Sequence, residues 1–440
     1  MNAKPSASLS TISSISDVNN LLNDTYILNY QSSCGLGEIC TDDYYITSAK
    51  WQNMSLVDQN LYTFSKNIFT SPNDGLSDWN QSYNAIFALN TILENLASIQ
   101  ASRNEINVAK GQALFFRAYR FHDLVETFAL PYNAKTATTD LGIPLRLSSN
   151  INDKSTRATI AECYNQVIND TKAASSLLPV KTQFPTQPSK IAAYALLARV
   201  YLDISDFPNA KAYADSTLTL NPNLTDYNSL SPGSTTLTNA TISNYPLAED
   251  IFHCTLSLSE APLTSALHWV DSNLYKLYVN NDLRQSLFFR YSTSAGNGYK
   301  FKGSYEFKLG ANNLFSGLAT DEIYLIRAEC KARLGDLNGA LSDLNMLLTN
   351  RYKKGTFIPY NTSNVPDPLS LIITERRKEL LFRGLRWTDL RRLNSDPKLM
   401  TVITHMINGT IYTLPPNDPR YAMPIPPNEI QLSGIQQNQR

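Results

Sequence analysis

Six residues in two short stretches combine flat aromatic rings with small polar side chains, the pairing that sugar recognition uses. "CTDDYYITSAKWQNMS" supplies Asp42, Asp43, Tyr45, Trp51 and Asn53, and "LHWVDSNLYKLY" supplies Trp269. A pyranose offers an apolar face to an aromatic ring and hydroxyls to carboxylates and amides, and loops are where such groups can be reached. The same rings have a second reading, because an aromatic in an apolar context is commonly core. Trp51 and Trp269 stand open between stacking platform and core. Tyr275 and Tyr278, at helical spacing, read as core.

Catalytic chemistry finds little support. His122, His253, His268 and His405 lie far apart, without HExxH or a second ligand at metal spacing, so no metal site is expected. His122 falls inside a helical pattern and reads as a packed or hydrogen-bonded residue. There is no GxSxG and no Walker loop, and "GLGEIC" has too few glycines for a dinucleotide turn. Asp42 and Asp43 could form half of a glycosidase acid/base pair, but nothing identifies the second carboxylate that such chemistry requires. A non-catalytic protein without cofactors is expected.

The densest charge lies in "LIITERRKELLFRGLRWTDLRRLN", residues 371–394, which raises the question of a phosphate or nucleic-acid site. Lys plus Arg and Asp plus Glu number 38 each, so no general basic field exists to hold a polyanion, and nucleic acid is not an expected partner. Leu380, Leu381, Leu385, Trp387, Leu390 and Leu393 recur at helical spacing and anchor the stretch in a core. Glu375, Glu379 and Arg383 follow at four-residue steps and Arg386 to Asp389 at three, so acids can pair with arginines along one face. A buried unpaired arginine is costly, and the expected role is scaffold.

Elements that position these residues follow from periodicity in a chain of 440 residues that is 42% hydrophobic. Trp79, Tyr83, Ile86, Phe87, Asn90 and Leu93 share one face of a helix, and Leu114, Ala118, Phe121 and Val125 share another that Pro131 ends. These predict a helical hairpin. A repeat then pairs Tyr194 with Tyr324, Ala198 with Ala328, Asp206 with Asp336, Ala210 with Ala340 and Leu218 with Leu348, the helix–turn–helix pattern of a tetratricopeptide unit. The copies are separated by a long and different segment, which predicts a helical scaffold interrupted by insertions rather than a continuous solenoid. Residues 223–250 and 291–317 read as loop with short strands, and the proline-rich "YTLPPNDPRYAMPIPPNEI" as extended chain over the surface. The fold class is thus mainly α, with tetratricopeptide-like hairpins, loop-rich insertions and minor short strands. Five scattered cysteines indicate neither a zinc site nor a dense disulfide framework. No apolar run is long enough to span a bilayer, and "MNAKPSASLSTISS" has no secretory h-region.

The charged stretch resembles the C-terminal signature ERRxEL…GxRWxDLRR of the SusD/RagB family, surface nutrient-binding lipoproteins of Bacteroidetes glycan-uptake systems. "SDWNQSYNAIFALN", "AKGQALFFRAYRFHDLVETFALPYN", "SKIAAYALLARVYLD", "LYKLYVNNDLRQSLFF", "LATDEIYLIRAECKARLGD" and "PNDPRYAMPIPPNEIQLSGIQQNQR" follow in the family's order, covering most of the chain. "KPSASLSTISSISDVNNLL" and "GLGEICTDDYYI" resemble the family's start just after its lipid-modified cysteine. The resemblance implies one domain over residues 1–440, made of an N-terminal SusD-like region (residues 1–222), a loop-rich insertion (residues 223–317) and a C-terminal SusD/RagB region (residues 318–440). It implies a cell-surface oligosaccharide binder that serves a SusC-like TonB-dependent transporter. Its place would be the extracellular face of the outer membrane, held by an N-terminal lipid anchor that this sequence does not contain. The family's ligand face draws on the loop equivalent to residues 40–55, whereas Trp79 and Trp387 belong to shared motifs and read as scaffold. The alternative is a tetratricopeptide-type adaptor that holds a peptide in its repeat groove.

Overall fold

The computed structural model describes residues 12–230, 247–257, 261–263, 268–293, 297–305 and 313–440. Antiparallel helices stacked side by side carry the molecule. Ser77–Asn95 packs on Arg103–Phe128, which packs on Ile160–Leu177, and the row continues through Lys190–Asp203, Phe207–Leu220, Thr320–Arg333 and Leu337–Thr349. A capping box starts the longest of them: the Ser102 hydroxyl accepts the Glu105 N–H, and the Glu105 carboxylate accepts the Ser102 N–H. From Gly111 to Phe128 every residue of this helix except Asp123 is buried. A helix covered on all sides is the axis of a fold rather than its wall. Phe87, which its spacing assigns to the buried face of Ser77–Asn95, is instead 38% exposed.

The two repeat copies turn in the same way. Ser205 and Gly335 sit at φ 61° and 90°, and Asp206 and Asp336 then cap the second helices by accepting the N–H of Asn209 and Gly339. Ala198, Ala210, Ala328 and Ala340 are all buried at the crossings, where a larger side chain would force the helices apart. The insertion expected between the two copies is present, and it does not part them. Phe207–Leu220 packs directly on Thr320–Arg333, so the row of helices is continuous in space. Arg199 grips Glu322 across the join with two bonds of 2.8 and 2.7 Å. The long segment between the copies leaves and re-enters at one point, where the Asn221 amide donates to the Thr320 hydroxyl at 3.1 Å.

Short antiparallel pairs hold the loops. Tyr44–Ile46 pairs with His268–Val270, Asp250–Phe252 with Leu318–Ala319, and Phe289–Ser292 with Gly298–Phe301. Stretches of the two loop-rich segments, 231–246, 294–296 and 306–312, lie outside the described residues. The tail departs from expectation. Ile403–Ile407 and Thr410–Leu414 form a hairpin, and Tyr421–Ile425 is buried instead of lying on the surface. Prolines there cannot join a ladder, so side chains complete the backbone. Arg391 donates to the Tyr421 carbonyl at 2.6 Å, Asn438 to that of Met423 at 2.7 Å, and the Gln437 amide both accepts from and donates to Ile425.

Candidate glycan-binding face

The charged stretch is two helices, Pro368–Glu379 and Leu385–Leu393, separated by a bend in which Phe382 and Gly384 take φ of 58° and 76°. The bend changes the partners that linear spacing proposes. Arg383 pairs with Asp321 rather than Glu379, and Arg386 forks onto Asp42 at 2.8 and 2.9 Å rather than onto Asp389. Asp389 takes Arg376 and Arg392 instead. Glu379 receives Arg284 at 2.9 Å and Arg351 at 2.6 Å. Arg351 continues to Glu249 at 3.0 Å and to the Thr225 carbonyl, and Tyr305 bridges Glu249 and Asp321. Asp282, Arg284, Glu249 and Tyr305 belong to the insertion. Arg284 and Arg351 directly, and Arg383 through Asp321 and Tyr305, therefore staple the insertion to the helical frame.

Asp42 and Asp43 belong to the same staple. Asp43 is 1% exposed, accepts from Arg377 Nε at 2.8 Å, and receives the Asp271 N–H on its carbonyl. Burial works against ionising Asp42, but Arg386 and Arg377 outweigh it and hold this carboxyl well below the usual range. The expectation that Asp43 faces a sugar is corrected by its burial, whereas Asp42 keeps part of its surface open; both pair with arginines and anchor the Tyr44–Ile46 strand. Trp269 is corrected too. It lies one strand over, 1% exposed, with Lys300 Nζ 3.4 Å from its ring centroid and the Tyr45 ring stacked at 6.1 Å. Gly298 is needed against it, because a Cβ there would stand 2.8 Å from Trp269 Cδ1.

Reachable aromatic surface lies beside these residues. Tyr45 and Trp51 are half-buried, and the Trp51 indole N–H donates to the Gln59 carbonyl at 3.2 Å. Asn53 is exposed, with its amide donating to the Ala49 carbonyl. The hairpin Phe289–Ser292/Gly298–Phe301 carries a row of tyrosines that the sequence does not single out. Tyr299 stacks on Tyr275 at 3.6 Å and 12°, and Tyr291, 58% exposed, meets Tyr299 edge-on at 5.4 Å. Asn297-Gly298 between alternating aromatics was the available signal for this hairpin. Tyr278 is core, as its spacing indicates, but Tyr275 is only half-buried.

One cluster escapes the sequence because its third member is remote. His122, Glu126 and Asp203 bring one ligand-type atom each within 4.8 Å of one another, all buried. Each already has a protein partner: His122 Nε2 bonds Asp203 at 2.9 Å, and Glu126 takes the Tyr164 hydroxyl and Arg391 at 3.3 Å. The set is an ion-paired knot between helices. All five cysteines are free thiols, and burial raises the pKa of each.

A pH signature follows from these carboxylates. Burial opposes ionisation of Asp321, Asp389, Asp282 and Glu329, but the facing basic groups outweigh it and hold all four low. A depressed acid stabilises the fold above its unfolded pKa and loses that contribution as pH falls through its folded value. Asp78 behaves oppositely: burial pushes it up to about 6, so folding gains as pH drops towards its unfolded value. The melting temperature should therefore rise slightly from about pH 7 to 5 and fall steeply below about pH 4. A flat profile from about pH 7 to 3 would contradict the ion-pair account.

Comparisons with known proteins agree with this architecture. Residues 2–202 match the SusD-like family model described as starch-binding, associating with the outer membrane, and residues 320–439 match that of the SusD family. SusD-like protein P2 of Formosa agariphila is 34% identical over 134 residues, which are 30% of this chain and 25% of that relative's length. A SusD superfamily protein of Bacteroides thetaiotaomicron superposes with a TM-score of 0.77 at 24% identity, covering 97% of this chain and all of that one. A laminarin-binding SusD-like protein superposes with a TM-score of 0.69 at 18% identity, over 97% and 99% of the two chains. At such identities the superpositions establish the fold. Among the described residues no helix is long and apolar enough to cross a membrane. With the two family models matched in order over residues 2–202 and 320–439, the protein belongs to the SusD/RagB family.

Proposed function

We propose that the protein binds a glycan, without cleaving it, on the face formed by Tyr45, Trp51, Asn53 and the tyrosines Tyr275, Tyr291 and Tyr299, and delivers it to a SusC-like TonB-dependent transporter. The observation that carries this reading is the tyrosine row, accessible on a hairpin that buried ion pairs hold rigid. Its cell-surface place, through an N-terminal lipid anchor, rests on family membership. The peptide-adaptor alternative has less behind it, because Pro368–Glu379 and Leu385–Leu393 pack against the repeat helices where a peptide groove would open. Asp42 and Asp43, spent on arginines, are poorly suited to acid/base work.

Affinity electrophoresis in starch, laminarin and alginate gels tests the reading. Wild type should be retarded by at least one polymer. Tyr291→Ala with Tyr299→Ala should weaken that retardation about tenfold, the loss of roughly 1.4 kcal/mol of stacking, with little change in melting temperature. No new reducing ends should form on prolonged incubation. Wild type unretarded by every polymer, or a double variant that binds normally, would refute the assignment.

A further inference from the structure

A cleft of about 410 Å³ opens between residues 26–31 and the Ser77–Asn95 helix. Tyr26, Ile27, Tyr30 and Gln31 form one wall, and Gln81 and Asn84 of the Ser77–Asn95 helix form the other. Tyr26 is 80% exposed and Tyr30 40%, and their rings meet edge-on at 5.7 Å. The cleft thus presents two reachable tyrosine rings.

Its polar side chains are neutral. Gln31, Gln81 and Asn84 contribute carboxamides, each with two donor hydrogens and an acceptor oxygen, and among the described residues no ionised side chain lines the cleft. Gln81 and Asn84 stand about one helical turn apart on the same face. Phe87, which is exposed, continues that face by another three residues, so the stripe Gln81, Asn84, Phe87 runs about 9 Å along the helix. An anionic or cationic ligand would find no counter-charge here. A neutral sugar chain matches both components of the lining: ring faces for its pyranoses and amides for its hydroxyls.

We infer that this cleft is a secondary site for a neutral polysaccharide, engaging a second segment of the same polymer that the tyrosine hairpin holds. The inference rests on the glycan-binding reading. Two sites on one chain raise the apparent affinity for polymer but not for a ligand too short to reach both.

The test compares starch and laminarin as intact polymers and as their tetrasaccharides. Tyr26→Ala with Tyr30→Ala should weaken polymer binding at least about tenfold while tetrasaccharide affinity, read by calorimetry, stays within about twofold of wild type. The melting temperature should not move, because both rings are exposed. Gln81→Ala with Asn84→Ala, which leaves the rings in place, should give a smaller loss in the same direction. Polymer binding within about twofold of wild type in the tyrosine variant would overturn the secondary site and leave the tyrosine-hairpin reading standing. Equal loss for polymer and tetrasaccharide would make this cleft the principal site and overturn the two-site arrangement. Wild type that binds neither starch nor laminarin would refute the neutral-polysaccharide site, and if alginate also failed to retard it the glycan-binding reading would fall with it.

Discussion

Arg284→Ala should cost about 3–5 kcal/mol of stability, the range for breaking a buried ion pair by removing one partner. Arg284 is fully buried and is the common partner of three carboxylates: Asp282 at 2.7 Å, Glu375 at 2.7 Å and Glu379 at 2.9 Å. Among the described residues, Lys378, near Asp282 and Glu375, and Arg351, near Glu379, would remain to offset them. Lysine should not rescue, because a point charge cannot fork onto three acceptors at once. Arg386→Ala should cost less, about 1–3 kcal/mol, since its partner Asp42 keeps Arg377 and some solvent. Because Arg284 opens the short helix that leads into the Phe289–Ser292 strand, its loss should also weaken glycan binding through the loosened hairpin. Urea titration of wild type and the two alanine variants measures the order. Arg284→Ala unfolding at the wild-type midpoint would show that the staple contributes nothing.

Trp269→Ala should be the other severe change, at about 3–5 kcal/mol for truncating a core tryptophan. The ring is the floor under Tyr45, Gly298 and Lys300, so its removal opens a cavity beneath the binding face. The Lys300 amino group, which burial and the neighbouring Arg290 and Lys50 push down to about 8, would lose its ring and keep the His268 carbonyl. Trp51→Ala, at a half-buried ring, should unfold closer to wild type and lose affinity for whichever polymer binds. Calorimetric melts with the polymer gels separate the two. A Trp269 variant of normal stability that fails only in binding would restore that residue to the ligand surface.

Helices were legible in the sequence because their signals are local. The three-to-four periodicity of Trp79 to Leu93 and, within each repeat copy, the spacing of Ala198 to Asp206 and of Ala328 to Asp336 span only a few turns, where backbone geometry alone dictates neighbours. The scaffold role of residues 371–394 was legible for a similar reason: apolar residues at helical spacing need a core, and arginines brought into it need acids. The acids themselves were not. Glu379 meets Arg284 and Arg351, and Arg386 meets Asp42, because a left-handed bend at Phe382 and Gly384 turns the second helix away from the first. The same limit applied to the candidate site. Sequence supplied the right stretches but not the strand pairing of Tyr44–Ile46 with His268–Val270, so Asp43 and Trp269 were drawn into a surface that burial denies them, while Tyr291 and Tyr299 were overlooked. The sequence by itself determined the helical repeats, the loop-rich insertion and the family. Tertiary structure alone decided the continuity of the helix row, the burial of the proline tail and the exposed tyrosines, since each depends on contacts between segments far apart in the chain that carry no local period.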